Sequence, residues 1–309
     1  MHPYPMVGDK VGPYRIDGRL GGGEHGVVFS ARQASSGARV ALKVMSPDVA
    51  GDPVARRRLT LAARGAVSVR SPHVARVFLY GEDNTRRLYI ASELVAEGSL
   101  GQALDSHGPA PVHAGLDLMA QVATGLAAAH ARGLVHGALS PANVLLQWHE
   151  GRAVGLLADV GTGWTATAPE VHLGSEPAIA SDIHSMGALL WETLTGQPVH
   201  HGTAFQVAEA YVKDPAPTLQ GHSPQVRHLN QLLARAMHRD PARRHASALE
   251  LRDDLLTALW LPGEVGPMLR APYPRSRPSE RTEVLTLCFA LALMSVGLVA
   301  GMTMLMMSF

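Results

Sequence analysis

His136-Gly137-Ala138-Leu139-Ser140-Pro141-Ala142-Asn143-Val144-Leu145-Leu146 is the stretch on which the fold turns. A short loop carrying a proline runs into an apolar strand. Upstream, residues 112–132 place Leu116, Met119, Ala120, Ala123, Leu126, Ala127 and His130 at helical spacing, which predicts an amphipathic helix. Gly133 follows as a C-cap signal. Downstream, Gly155-Leu156-Leu157-Ala158 reads as a short strand ending at Asp159-Val160-Gly161. On this local reading Asn143 is a loop cap and Asp159 a turn residue.

Toward the N-terminus the pattern changes period. Tyr14-Arg15-Ile16 opens an apolar run, and Leu20-Gly21-Gly22-Gly23-Glu24-His25-Gly26-Val27-Val28-Phe29 sets a glycine cluster ahead of β-formers. Residues 33–37 read as a turn and Val40-Ala41-Leu42-Lys43-Val44 as a strand. Gly21, Gly23 and Gly26 fit G-x-G-x-x-G. A dinucleotide-binding unit would place a helix after that motif, and here a strand follows. The cluster alone reads equally as a phosphate-cradling loop or a plain hairpin turn. Residues 53–69 read as a helix opened by Pro53. The interval carries Arg56, Arg57, Arg58, Arg64, Arg70 and Arg76. They form either a patch for an acidic partner or anionic lipid, or a solvated helix face, the simpler reading. Residues 88–94 are a further apolar strand.

Lys43 decides between the glycine readings. It lies in V-A-L-K, seventeen residues after Gly26, and resembles the V-A-I-K strand of protein kinases. The opening stretch resembles the kinase catalytic loop H-R-D-L-K-x-x-N, and Asp159-Val160-Gly161 resembles D-F-G. Ser71-Pro72-His73-Val74-Ala75-Arg76-Val77 is similar to H-P-x-I-V-x-V, and Thr167-Ala168-Pro169-Glu170 contains A-P-E. Ser181-Asp182-Ile183-His184-Ser185-Met186-Gly187 and Asp240-Pro241-Ala242-Arg243-Arg244 resemble two C-lobe motifs. Together these motifs resemble bacterial Hanks-type serine/threonine protein kinases from residue 14 to about residue 260. The implied fold is α+β and bilobal, with a β-rich N-lobe over 14–94 and a helical C-lobe over 95–260. Residues 1–13 read as a tail.

The resemblance implies a nucleotide site of Gly21, Gly23, Gly26, Val28, Ala41 and Lys43, with hinge residues Glu93 and Val95 on adenine. Ser92 falls at the gatekeeper position, where a small side chain leaves a deeper pocket. Asn143 and Asp159 would hold Mg²⁺ against the phosphates of ATP, as hard oxygen ligands suit that ion. Glu170 would pair with Arg244, and Asp182 would brace the catalytic loop. The departures fall elsewhere. Ala138 stands at the catalytic Asp position, Gly137 at the Arg and Ser140 at the Lys. The helix-C Glu position falls near Ala62, and no acid occurs between Asp52 and Glu82. Without that acid Lys43 is expected to be poorly positioned. Asp159 to Glu170 is twelve residues, a short activation segment. The expectation is a membrane-anchored pseudokinase that keeps ATP and Mg²⁺ binding. The alternatives are an atypical active serine/threonine kinase and a nucleotide-independent docking scaffold. The expected partner is an unidentified protein, an active kinase or an acidic protein.

Composition bounds the rest. The chain has 309 residues, 46% hydrophobic and 17% charged, with mean hydropathy +0.05, which hints at a membrane segment. A formal charge of +1 gives no overall field for nucleic acid. One cysteine, Cys288, excludes an intrachain disulfide framework. His200-His201 reads as solvated loop, with no third metal ligand nearby in sequence. The first ten residues carry no apolar signal-peptide core. Residues 261–283 hold five prolines and four arginines and read as a linker. Residues 284–307 carry no charge and, at 1.5 Å per residue, would span roughly 36 Å as a helix. This predicts a single-pass tail anchor with the kinase-like domain cytoplasmic and the C-terminus outside. Gly297 and Gly301 form a G-x-x-x-G that permits helix dimerisation, although glycine is common in such helices.

Overall fold

A computed structural model describes residues 4–23, 25–162 and 167–263. The N-terminal part is an antiparallel sheet of β1 (Lys10–Val11), β2 (Tyr14–Gly23), β3 (Gly26–Gln33), β4 (Arg39–Met45), β5 (Val77–Glu82) and β6 (Leu88–Ser92). The spatial order is β1-β2-β3-β4-β6-β5. Between β4 and β5 lie α1 (Pro47–Gly51) and α2 (Pro53–Ala66). Asp52 caps α2 by accepting from the Val54 N–H, and Pro53 fills the first helical position, where a missing N–H costs nothing. One sheet face buries Ile16, Phe29, Leu42, Val44 and Ala91. The other buries Met45, Leu88 and Ile90 against Leu59 and Ala63 of α2. Thus α2 lies across the sheet because Leu59, Ala63 and Ala66 share its buried side.

The C-terminal part is helical: α3 (Leu100–His107), α4 (Val112–His130), a small hairpin of β7 (Val144–His149) and β8 (Arg152–Leu157), then α5 (Pro169–His172), α6 (Ile179–Thr195), α7 (Ala204–Lys213), α8 (Pro224–Ala236) and α9 (Ala248–Trp260). Ser99 opens α3 with a capping box to Gln102. The expected stop after α4 is present: Leu134 N–H donates to Ala129 O and Gly133 N–H to His130 O, with Gly133 at φ 71°. That pair of bonds is a Schellman closure. The two parts are stitched by the segment before β5. Leu157 N–H donates to His73 O (3.0 Å) and Ala75 N–H to Leu157 O (2.8 Å). Gly125 of α4 abuts the His73 backbone, where a Cβ would lie 3.0 Å from its carbonyl carbon.

Three expectations need correction. Residues 10–11 are a paired strand, not tail, because Val11 is buried in the sheet core beside Tyr14. Helix α4 is buried on most of its surface, not one stripe: Leu118, Gln121, Val122 and Ala129 are enclosed with the expected positions. It is packed by α6, β8 and α9. His200 is not solvated loop: its ring packs edge-on against Tyr211 at 4.6 Å between centroids. The membrane-span expectation for 284–307 and the linker past residue 263 lie outside the described residues. Among the described residues no helix is long and apolar enough to cross a membrane.

Candidate functional site

The glycine cluster folds as the β2–β3 hairpin end, with Gly23 opposite Gly26. Its glycines serve different ends. Gly26 has φ 154°, and a Cβ there would run into the backbone of Val44 and Met45, so close strand packing requires it. Cβ atoms on Gly21 or Gly23 would meet nothing within 4 Å, so these two face open space. Val28 pairs with Lys43 across β3–β4, and Ala41 pairs with Ser92 across β4–β6. The register therefore brings Val28, Ala41, Lys43 and Ser92 to one stretch of sheet, and all four are less than fully buried or line the cleft.

Lys43 is not adrift. Its Nζ lies 2.7 Å from Asp159 Oδ2, with the lysine side chain 14% exposed. This corrects the expectation of poor positioning: Asp159 supplies the counter-charge that α2 lacks. Ala62 faces the Asp159-Val160-Gly161 turn, since a Cβ on Gly161 would lie 3.0 Å from the Ala62 Cβ. Asp159 has φ 59°, a left-handed conformation that Asp adopts more readily than most residues. Thr162 closes the turn by donating its N–H and hydroxyl to Asp159 O. Behind Ser92 is a cavity of about 20 Å³ lined by Lys43, Ala63, Ala66, Ser92, Asp159 and Thr162, room for one water. At the hinge, Glu93 N–H donates to Arg76 O (2.8 Å) and Glu93 carboxylate accepts from Arg76 N–H (3.2 Å). Val95 is half-buried at the same edge.

The opening stretch is held from below by Asp182. This carboxylate has no exposed side-chain surface. It accepts from His136 N–H (2.7 Å), Gly137 N–H (2.9 Å) and His130 Nε2 (2.8 Å). The His136 ring is also enclosed: Nε2–H donates to Ala158 O (3.0 Å) and Nδ1 accepts from Ala138 N–H (3.3 Å). Burial lowers its pKa, so the neutral ring that this pattern needs is favoured. Asn143 Nδ2 donates to Ala138 O (2.8 Å), and Asn143 O accepts from Ala158 N–H (2.9 Å). Asn143 Oδ1 and Asp159 Oδ1 are hard oxygen atoms of the type that suits Mg²⁺. Gly137 sits at φ 73°, Ala138 is 8% exposed, and Ser140 is half-buried in extended backbone. No side chain at these three positions carries an acid, an amine or a guanidinium.

Farther along, Arg244 and Glu170 form a bidentate pair at 2.7 Å and 2.7 Å. The other guanidinium donors go to Ala180 O, His238 O and Arg239 O, so all five are used. Four of the six arginines of the 56–76 interval make contacts within the chain. Arg56 pairs with Glu82 and Arg58 with Glu176, Arg70 donates to Val67 O and Val69 O, and Arg76 lies 5.6 Å over the Phe78 ring. Sequence reasoning placed His130 on an apolar stripe and missed its bond to Asp182. A histidine at the last turn of a buried helix was the available signal. A larger groove of about 430 Å³ between the hairpin and α2, lined by His25, Asp48, Asp52 and Arg58, contains none of these site residues.

A sheet-rich lobe and a helical lobe, joined at a hinge and facing a lysine–aspartate pair, define a protein kinase fold. The protein kinase domain model matches residues 14–163. The chain is similar to the kinase domain of Mycobacterium tuberculosis PknI, with a TM-score of 0.70 and 28% identity over 82% of this chain and 99% of that one. It is 31% identical to the serine/threonine-protein kinase PknL of M. tuberculosis over 293 residues, covering 88% of this chain and 71% of the relative. It is 30% identical to PknD of the same species over 269 residues, covering 80% of this chain. It spans only 40% of that relative's length. The chain belongs to the bacterial serine/threonine protein kinase family. Domains of this kind generally use ATP and Mg²⁺.

Proposed function

We propose that this chain is a pseudokinase of that family: it binds ATP in the interlobe cleft and acts through contact with a protein partner. One observation carries the reading. Ala138 stands where the loop would present a general base, in a loop whose register is pinned on both sides by Asp182 and Asn143. The carboxylate bonded to this loop, Asp182, is fully enclosed with both oxygens engaged, so it is no substitute. Loss of a general base costs about 10²–10⁴ in rate. Loss of an electrostatic contact to the transferring group, the role a lysine at Ser140 would have, costs about 10²–10³ more. The two are not additive, yet either would take a turnover of ~10 s⁻¹ to a small residue.

The nucleotide reading rests on the hairpin glycines, Lys43, Asn143 and Asp159, with Val28 opposite Lys43 in the sheet and Lys43 paired to Asp159 across the cleft. ATP supplies polyphosphate for Lys43 and the hairpin N–H groups, and Mg²⁺, if it enters, would be held by Asn143 and Asp159. The same intact half favours the second reading, an atypical active serine/threonine kinase, because phosphoryl transfer depends mainly on positioning and electrostatics. Membrane attachment through 284–307, with the kinase-like domain on the cytoplasmic side, is part of the proposal and rests on the uncharged run and its basic flank. Dimer contact through Gly297 and Gly301 is its natural extension. The deciding experiment is radiolabelled phosphate transfer by the wild-type chain. No transfer above background is expected. Transfer abolished by both Lys43→Met and Asp159→Asn would sink the pseudokinase reading in favour of the active kinase.

A further inference from the structure

Lys43 is a largely enclosed ammonium facing a helix that offers it no acid. Between Asp52 and Glu82 the sequence contains neither Asp nor Glu, and the helix residue against the Asp159 turn is Ala62. An ammonium left unpaired at that depth is costly. It is paired instead across the cleft, with Nζ 2.7 Å from Asp159 Oδ2. Asp159 is also one of the two residues whose oxygens would meet Mg²⁺. One carboxylate therefore serves two cationic claims.

The charge count follows from Ala62. With an acid on the helix, one ammonium would face two carboxylates. That net negative site would repel polyphosphate until a metal ion entered. Here one ammonium faces one carboxylate and the pair is neutral. Removing one negative charge from beside the phosphates does part of what a divalent ion does. Binding Mg²⁺ here has its own cost. The ion demands near-octahedral oxygen geometry and dehydrates reluctantly, and Lys43 and Mg²⁺ would then share a single counter-charge.

We propose that this cleft takes ATP without a metal ion, with the Lys43 ammonium, whose single carboxylate partner is Asp159, as the cation that meets the phosphates. The proposal rests on the nucleotide-pocket reading above and concerns how that pocket is charged. The cause is the helix substitution at Ala62; the catalytic loop has no part in it.

The test is ATP binding by the full chain in detergent micelles, followed by thermal shift, once with excess Mg²⁺ and once with EDTA. The expected apparent affinities agree within about twofold. Stabilisation by ATP in Mg²⁺ but not in EDTA overturns the proposal and leaves the nucleotide pocket standing. Stabilisation in neither buffer overturns the nucleotide pocket itself. Two variants sharpen the result. Asp159→Asn frees Lys43 and removes a negative charge, so metal-free ATP binding should tighten by about tenfold. A site that depends on Mg²⁺ would weaken instead. Ala62→Glu returns a carboxylate to the helix, and EDTA should then weaken ATP binding by about tenfold. The wild-type comparison decides without either variant, so a variant that fails to fold does not shield the proposal.

Discussion

Asp182→Asn should be among the most damaging conservative changes in this chain. The carboxylate is fully enclosed and accepts three bonds, from His136 N–H at 2.7 Å, His130 Nε2 at 2.8 Å and Gly137 N–H at 2.9 Å. Asparagine keeps the shape and loses the charge. Bonds to a charged group are worth about 1.5–3 kcal/mol and neutral ones about 0.5–1.5, so three bonds lose about 3 kcal/mol together. The new amide also turns a donor toward a donor, since all three partners need acceptors. Leaving a buried donor unmet adds about 1–3 kcal/mol. A total of about 4–6 kcal/mol corresponds to a fall in Tm of about 8–24 °C for a domain of this size. Urea unfolding should give a lower midpoint with an unchanged slope. His130→Phe removes one of the three bonds and should cost about a third as much. The two losses should be less than additive in the double variant, because they share one carboxylate. A loss below about 1 kcal/mol for Asp182→Asn would refute the view that this side chain holds the loop.

Other outcomes follow from single residues. Arg244→Ala strands Glu170 and three carbonyls, and breaking such a buried pair should cost about 3–5 kcal/mol in urea unfolding. Gly26→Ala should cost about 1–3 kcal/mol while Gly21→Ala stays within about 0.5 kcal/mol, measured the same way, because one position is strained and blocked and the other open. Ala138→Asp should not restore phosphate transfer, since Ser140 and Ala62 remain; radiolabel transfer by this variant would show that the loop acid alone was missing. His184 has its pKa lowered to about 3, by burial first and then by Arg244, His172 and His200. Its neutral form belongs to the fold, so the unfolded chain binds the extra proton between about pH 6.5 and 3, and stability falls as pH falls through that window. At pH 5 the loss from this residue is about 2 kcal/mol. His184→Gln should flatten the dependence of Tm on pH below 6.5, and an unchanged profile would refute the assignment.

The fold was legible because kinase-like architecture is written in local patterns and fixed spacings. Glycines before a β-run, V-A-L-K, an apolar helix closed by Gly133, and A-P-E each announce their element through turn chemistry or periodicity. What misled the local reading were properties of neighbours. Helix α4 reads as one-sided because three of its walls, α6, β8 and α9, are remote in sequence. Val11 reads as tail because the strand that covers it comes later.

The sequence alone determined which groups are present: an amine at 43, an amide at 143, a carboxylate at 159, and no acid at 62 or 138. It could not say what an amine without its helix acid would do. That depends on the distance across the cleft, which is set by β4, α2 and the Asp159 turn packing together. Only the tertiary structure brings Lys43 within 2.7 Å of Asp159. Electrostatic pairing falls off with separation in space, and separation along the chain, here 116 residues, does not predict it.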